Sequence, residues 1–91
     1  MILGFNDCLA LSALTEEEID AIAQHENLTE MVALELGNYL IRQPDGCVVI
    51  KGMILDDIAE AEAHGNRRRA LVLKATLKHF VDTHPDNPAN A

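Results

Sequence analysis

The stretch from Gly46 to His84 leaves this chain the least freedom. It holds two amphipathic runs separated by His64-Gly65-Asn66. In the first, Ile50, Ile54, Ile58 and Ala61 recur at spacings of four and three with Met53 beside them, which is the period of one face of an α-helix. Val48, Val49 and Leu55 widen the apolar surface, while Asp56, Asp57, Glu60 and Glu62 are expected largely off the Ile50 stripe. Gly52 interrupts the run at a cost of about 1 kcal/mol against alanine, and either admits a close neighbour or is simply tolerated. In the second run Ala70, Leu73, Leu77, Phe80 and His84 mark the stripe, flanked by Leu71 and Val81. Gly65 suits the left-handed position just past a helix end, and the Asn66 side chain can accept an N–H from the first turn of the next helix. Pro85 biases His84 away from helix, so the second run ends near Thr83. A link of two or three residues makes the two helices antiparallel neighbours, a hairpin turning at Gly65.

The rest of the chain reads as material packed against this hairpin. Thr15-Glu16-Glu17-Glu18 is a capping box, in which the Thr15 hydroxyl bonds the Glu18 N–H and the Glu18 carboxylate returns to the Thr15 N–H. A helix from about Glu16 to His25 follows, with Ile19, Ile22, Ala23 and Glu26 on one side. Asn27-Leu28-Thr29 breaks it, and Thr29 caps a helix from Glu30 to about Ile41. There Met31/Val32, Leu36 and Tyr39/Leu40 are expected to face inward, Tyr39 as a mostly buried ring with its hydroxyl at the polar end. Glu35 is expected at the boundary with water or paired with an arginine. Gln43-Pro44-Asp45-Gly46 is the next turn, with Pro44 suited to the first turn of the long helix. The fold expected is therefore all-α, a small up-and-down bundle of four helices. A fifth, if one forms, lies in the N-terminal arm. One domain spans residues 1–85, and residues 86–91 read as a disordered tail. Nothing earlier in the chain repeats the hairpin.

Charge is unevenly placed. The net value of −8 comes from 15 acids and 7 bases. Residues 1–45 hold nine of the acids against Arg42 alone, whereas residues 46–91 hold six acids and six bases. The acidic half would repel nucleic acid and favour a basic protein surface, or a second copy docking its acidic half to the arginine-bearing half. Met1–Leu14 is the least polar stretch. Its Ile2, Leu3 and Phe5 are expected to meet either the chain's own core or a partner. Arg67, Arg68 and Arg69 occupy the first turn of the last helix, where the dipole disfavours cations by a few tenths of a kcal/mol. They are read as pairing with acids of a neighbouring helix, or as a contact for an acidic partner.

Chemistry-bearing patterns are sparse. Glu60 and His64 share a helical face and, with His79 or His25, form a weak candidate set for a zinc or iron ion. The spacing does not match the Glu-x-x-His pairs of di-iron bundles. Cys47 lies near a helix N-terminus, where the dipole would lower a thiol pKa, yet no local signature supplies a base. Two cysteines, Cys8 and Cys47, make no disulfide framework, and no C-x-x-C, phosphate loop or haem motif occurs. No apolar run approaches the roughly 18 residues of a membrane span and no secretory signal is visible, so a reducing cytoplasm is expected. No cofactor is implied. Three functions fit: a protein–protein interaction or regulatory module that self-associates, a metal-binding or small redox protein, and an acidic inhibitor that imitates nucleic acid. The first rests on the apolar arm and the divided charge.

Overall fold

Every helix start after the first turns on a short polar residue or a tight turn. In the computed structural model, which describes residues 4–84, five helices follow one another: α1 (Phe5–Ala10), α2 (Glu16–Glu26), α3 (Glu30–Ile41), α4 (Gly46–Ala63) and α5 (Arg67–Thr83). The Thr15 N–H donates to Glu18 Oε1 at 2.8 Å and the Glu18 N–H donates to Thr15 Oγ1 at 3.2 Å, closing the capping box. Thr29 accepts from the Val32 N–H at 3.3 Å, and Asn66 accepts from the Arg69 N–H at 3.1 Å. Asn27 ends α2 in the left-handed region, at φ 56°. Gly65 does the same after α4, at φ 70°. There the Asn66 N–H donates to the Ala61 carbonyl at 2.8 Å and the Gly65 N–H to the Glu62 carbonyl at 3.1 Å, which consumes two carbonyls left open at the helix end.

The chain is all-helical among the described residues, with bundle-like packing. Consecutive helices pack on each other from α2 onward, α2 also meets α4 and α5, and α1 lies on α3. The buried apolar side chains form one cluster across these contacts. Ile50, Ile54, Ile58, Met53 and Ala61 enter it from α4, Ala70, Leu73 and Phe80 from α5, and Ile19, Ile22 and Ala23 from α2. Each large aliphatic or aromatic chain buried this way contributes about 1.5–3 kcal/mol. His84 continues the α5 stripe as expected, its ring stacked 4.4 Å from that of Phe80. The fifth helix is α1, and Phe5, Cys8 and Leu9 pack half-buried against the core. Ile2 and Leu3 lie outside the described residues, as does the tail expected over 86–91.

Four expectations need correction. The inner face of α3 is Ala33, Leu34 and Gly37, with Met31, Leu36 and Leu40 only half-buried and Val32 outside. Tyr39 is 59% exposed. Small residues face inward because α3 is met closely: a Cβ on Gly37 would run into Leu14 Cδ1 and Ile22 Cδ1. Second, Asp57 does not lie off the α4 stripe but is 1% exposed. Third, Val48, Val49 and Leu55 point away from the core instead of enlarging it. Fourth, α4 begins at Gly46 and leaves Pro44 in the turn, where the Gly46 N–H donates to the Gln43 carbonyl at 3.1 Å.

Gly52 resolves to the tolerated case, since a Cβ there would meet nothing within 4 Å. Gly52→Ala is therefore expected to raise stability by about 1 kcal/mol through helix propensity alone. A rise in the circular-dichroism melting temperature checks it, and a fall would mean that an unseen neighbour occupies that side of α4.

Candidate functional site

Two features of the surface and its underlayer stand apart from the apolar core. The first is the outer face of the α4–α5 hairpin. Val48, Leu55 and Ala59 succeed one another at seven and four residues, so they share one side of α4, opposite the buried stripe. Val48 is 47% and Leu55 46% exposed, and Leu71 at the near end of α5 is 67% exposed. Between the end of α4 and the start of α5 lies a hollow of about 420 Å³ lined by Glu62, Gly65, Arg67, Ala70, Leu71 and Lys74. Lys74 reaches Glu62 across it at 3.6 Å, and Lys78 pairs with Asp82 one turn on at 2.7 Å. The same period puts Lys51 and Glu62 beside this stripe, so the aliphatic face is edged by bases together with the acids Glu62 and Asp82.

The second feature is a polar junction where α2, α4 and α5 meet. Asp57 is buried there, and its Oδ2 has no hydrogen-bond partner among the described residues. Burial raises its pKa from 3.8 to about 6, opposed by the positive charges of His25 and Arg69 and assisted by Glu60 and Asp56. His25 Nε2 lies 2.9 Å from Asp56 Oδ2 and its Nδ1 2.7 Å from Glu26 Oε2. Ionised carboxylates only accept, so both contacts as hydrogen bonds require the doubly protonated ring. The Asp56 bond raises the His25 pKa first, burial lowers it, and Glu26 and Asp57 add to the rise. Arg69 closes the junction from α5 through Nη2 and Nε to Gln24 Oε1 at 2.7 and 3.2 Å, with Asp20 Oδ2 at 3.5 Å. At the start of α3, Glu30 has a raised pKa from burial, a hydrogen bond to Asp20 and the charges of Asp20 and Glu16. The junction ties three helices together, and neither described hollow opens onto it.

The other residues singled out in the sequence are dispersed. Arg69 is engaged inside the chain, as a bridge to a neighbouring helix, whereas Arg67 and Arg68 stand exposed at the start of α5. Phe5 serves the chain's own core. His64 turns its Nδ1 to the Glu60 carbonyl at 2.8 Å, while the Glu60 side chain is exposed. His79 lies twelve residues beyond Arg67, about 18 Å along α5, in a hollow with Thr15, Glu17, Val72, Ala75 and Thr76. Glu60 and His64 thus sit at one end of the hairpin and His79 far from it. No three His, Cys, Asp or Glu side chains among the described residues form a group that could hold a metal ion. Cys47 is buried, and its thiol pKa is raised by that burial; the helix start does not lower it. Cys8 and Cys47 are both unpaired. No helix among the described residues is long and apolar enough to cross a membrane.

The sequence reading passed over Asp57, although its position spoke for it: seven residues after Ile50 and three after Ile54, it falls on the buried stripe. Comparison with family models, with curated proteins and with solved structures returned no match.

Proposed function

We propose that this protein is a protein–protein interaction or regulatory module that receives a partner helix along the outer face of the α4–α5 hairpin. One observation carries the reading: Val48 and Leu55 on one side of α4, and Leu71 in the hollow with Glu62, Arg67 and Lys74, are aliphatic side chains that the chain's own helices leave uncovered. A helix laid against such a surface buries its own i, i+3, i+7 anchors, and the mixed Glu62, Arg67 and Lys74 edge offers polar partners for its flanks. The proposal sets the protein in a reducing cytoplasm, in keeping with its two unpaired thiols.

The test compares wild type with the double variant Val48→Glu/Leu55→Glu, immobilised and exposed to extract of the native host. Both changes are on the exposed side of α4, so the variant is expected to keep its helicity and melting transition. A protein retained by wild type and lost by the variant supports the reading. Identical capture by the two, or capture by neither, rejects it.

A further inference from the structure

We infer that the last turn of α2 is a proton-operated lid over Asp57, held shut in acid and opening as the solution approaches neutrality. The buried residues of α2 end at Ala23, and the next core contact is the half-buried Leu28, just past the left-handed Asn27. Between these two anchors the chain bears Gln24, His25, Glu26 and Asn27, none of them buried. This turn reaches the hairpin through polar contacts: His25 Nε2 meets Asp56 on α4, and Gln24 Oε1 accepts from Arg69 on α5. Asp57 follows Asp56 at the same junction, with the charges of both His25 and Arg69 acting on it. A segment with few buried apolar contacts opens locally at low cost, and its anchored ends confine that opening to the one turn.

Asp57 supplies the proton dependence. As a neutral acid it tolerates enclosure, but as a carboxylate it needs donors, and its Oδ2 has none among the described residues. The two cations that act on it spend hydrogens elsewhere, His25 on Asp56 and Glu26 and Arg69 on Gln24. Water admitted by the open turn supplies the missing donors. The charged groups acting on Asp57 are His25 from α2, Arg69 from α5, and Asp56 and Glu60 from α4 itself; α3, which also packs on α4, brings none. Burial holds the Asp57 pKa at about 6 in the closed form, and hydration returns it toward 3.8. The closed form therefore binds the proton more tightly and gives way as pH rises through 6. His25 works in the same direction. Both of its carboxylate contacts need the doubly protonated ring, so this clasp loosens as pH climbs through its raised folded value.

Amide hydrogen exchange, resolved by residue and corrected for the intrinsic rate, tests this at pH 5 and pH 7.5 on wild type, Asp57→Asn and Asp57→Leu. In wild type the amides of residues 24–27 are expected to exchange faster than those of Ile54 and Ile58 at both pH values. Between the two they are expected to lose about tenfold in protection, the factor given over that interval by a pKa that drops from about 6 to 3.8 on opening. Either variant is expected to cut the loss to about threefold or less, the remainder being due to His25. Leucine needs no polar partner and serves if asparagine unsettles the fold. A turn as well protected as Ile54 and Ile58 opens only with the whole chain and overturns the inference. A turn equally protected at both pH values opens without uncovering Asp57 and overturns it too. Both outcomes are read on wild type and need no variant. A tenfold loss that survives in a folded variant also overturns the inference, since the proton would then be held elsewhere.

Discussion

Asp57→Asn is expected to gain stability relative to wild type as pH rises, the gap between them widening by about 3 kcal/mol from pH 4 to pH 8. Folding lifts the Asp57 pKa from 3.8 to about 6, so within that interval the folded chain binds a proton that the unfolded chain does not. Stability then falls with rising pH and levels off above about 6, once the buried carboxyl is ionised in both states. The distance between the two pKa values corresponds to about 3 kcal/mol, and at 1% exposure little solvent screening reduces it. Asparagine has no charge to desolvate and removes that slope. His25 acts in the same sense. Its pKa is raised by Asp56, so the stability its cation contributes is complete below 6.5 and is lost as pH rises through its folded value. Wild type is therefore expected to be more stable at pH 5 than at pH 8. Urea unfolding followed by circular dichroism at pH 4, 6 and 8 measures both slopes. A constant difference between variant and wild type across that range would show that the Asp57 carboxylate bears no burial penalty.

Gly46→Ala is expected to destabilise the chain by about 3 kcal/mol or more, enough to leave much of a domain this small unfolded at 37 °C. The turn after α3 folds back so tightly that a Cβ on Gly46 would overlap the Leu40 carbonyl, and the overlapped atoms are backbone. A side-chain end could swing aside, but this carbonyl accepts the Gln43 N–H at 2.9 Å and cannot move without opening the turn. Thermal melts of Gly46→Ala and Gly52→Ala, made in parallel, are expected to shift in opposite directions although both replace a glycine of α4. A Gly46→Ala protein as stable as wild type would mean that the α3–α4 turn relaxes freely.

Local rules accounted for the helices. The caps at Thr15, Thr29 and Asn66, the stop at Gly65 and the four-and-three spacing from Ile50 to Ala61 all act over a few residues of contiguous chain. For that reason the ends of α2, α3 and α4 could be read to within a residue or two before any packing was known. The inner face of α3 could not, because two apolar stripes were available. Which of them turned inward depended on how closely α2 and the arm approach, and Gly37 admits that approach where Tyr39 would block it. Asp57 failed for a different reason: a rule that sends charge to the surface outweighed a period that placed residue 57 in the core. The polar junction around it draws on residues 20, 24, 25, 56, 57 and 69, whose convergence no local spacing encodes.

By itself the sequence determined an all-α chain, its helix boundaries, the hairpin at Gly65 and the concentration of negative charge in the first half, since each follows from short-range backbone chemistry or from composition. Only the tertiary structure decided which apolar residues were left exposed, which arginine was already engaged and which carboxylate was enclosed. Burial is a property of the assembled helices, fixed by the distances between their axes and the sizes of the side chains between them, and a single helix carries neither.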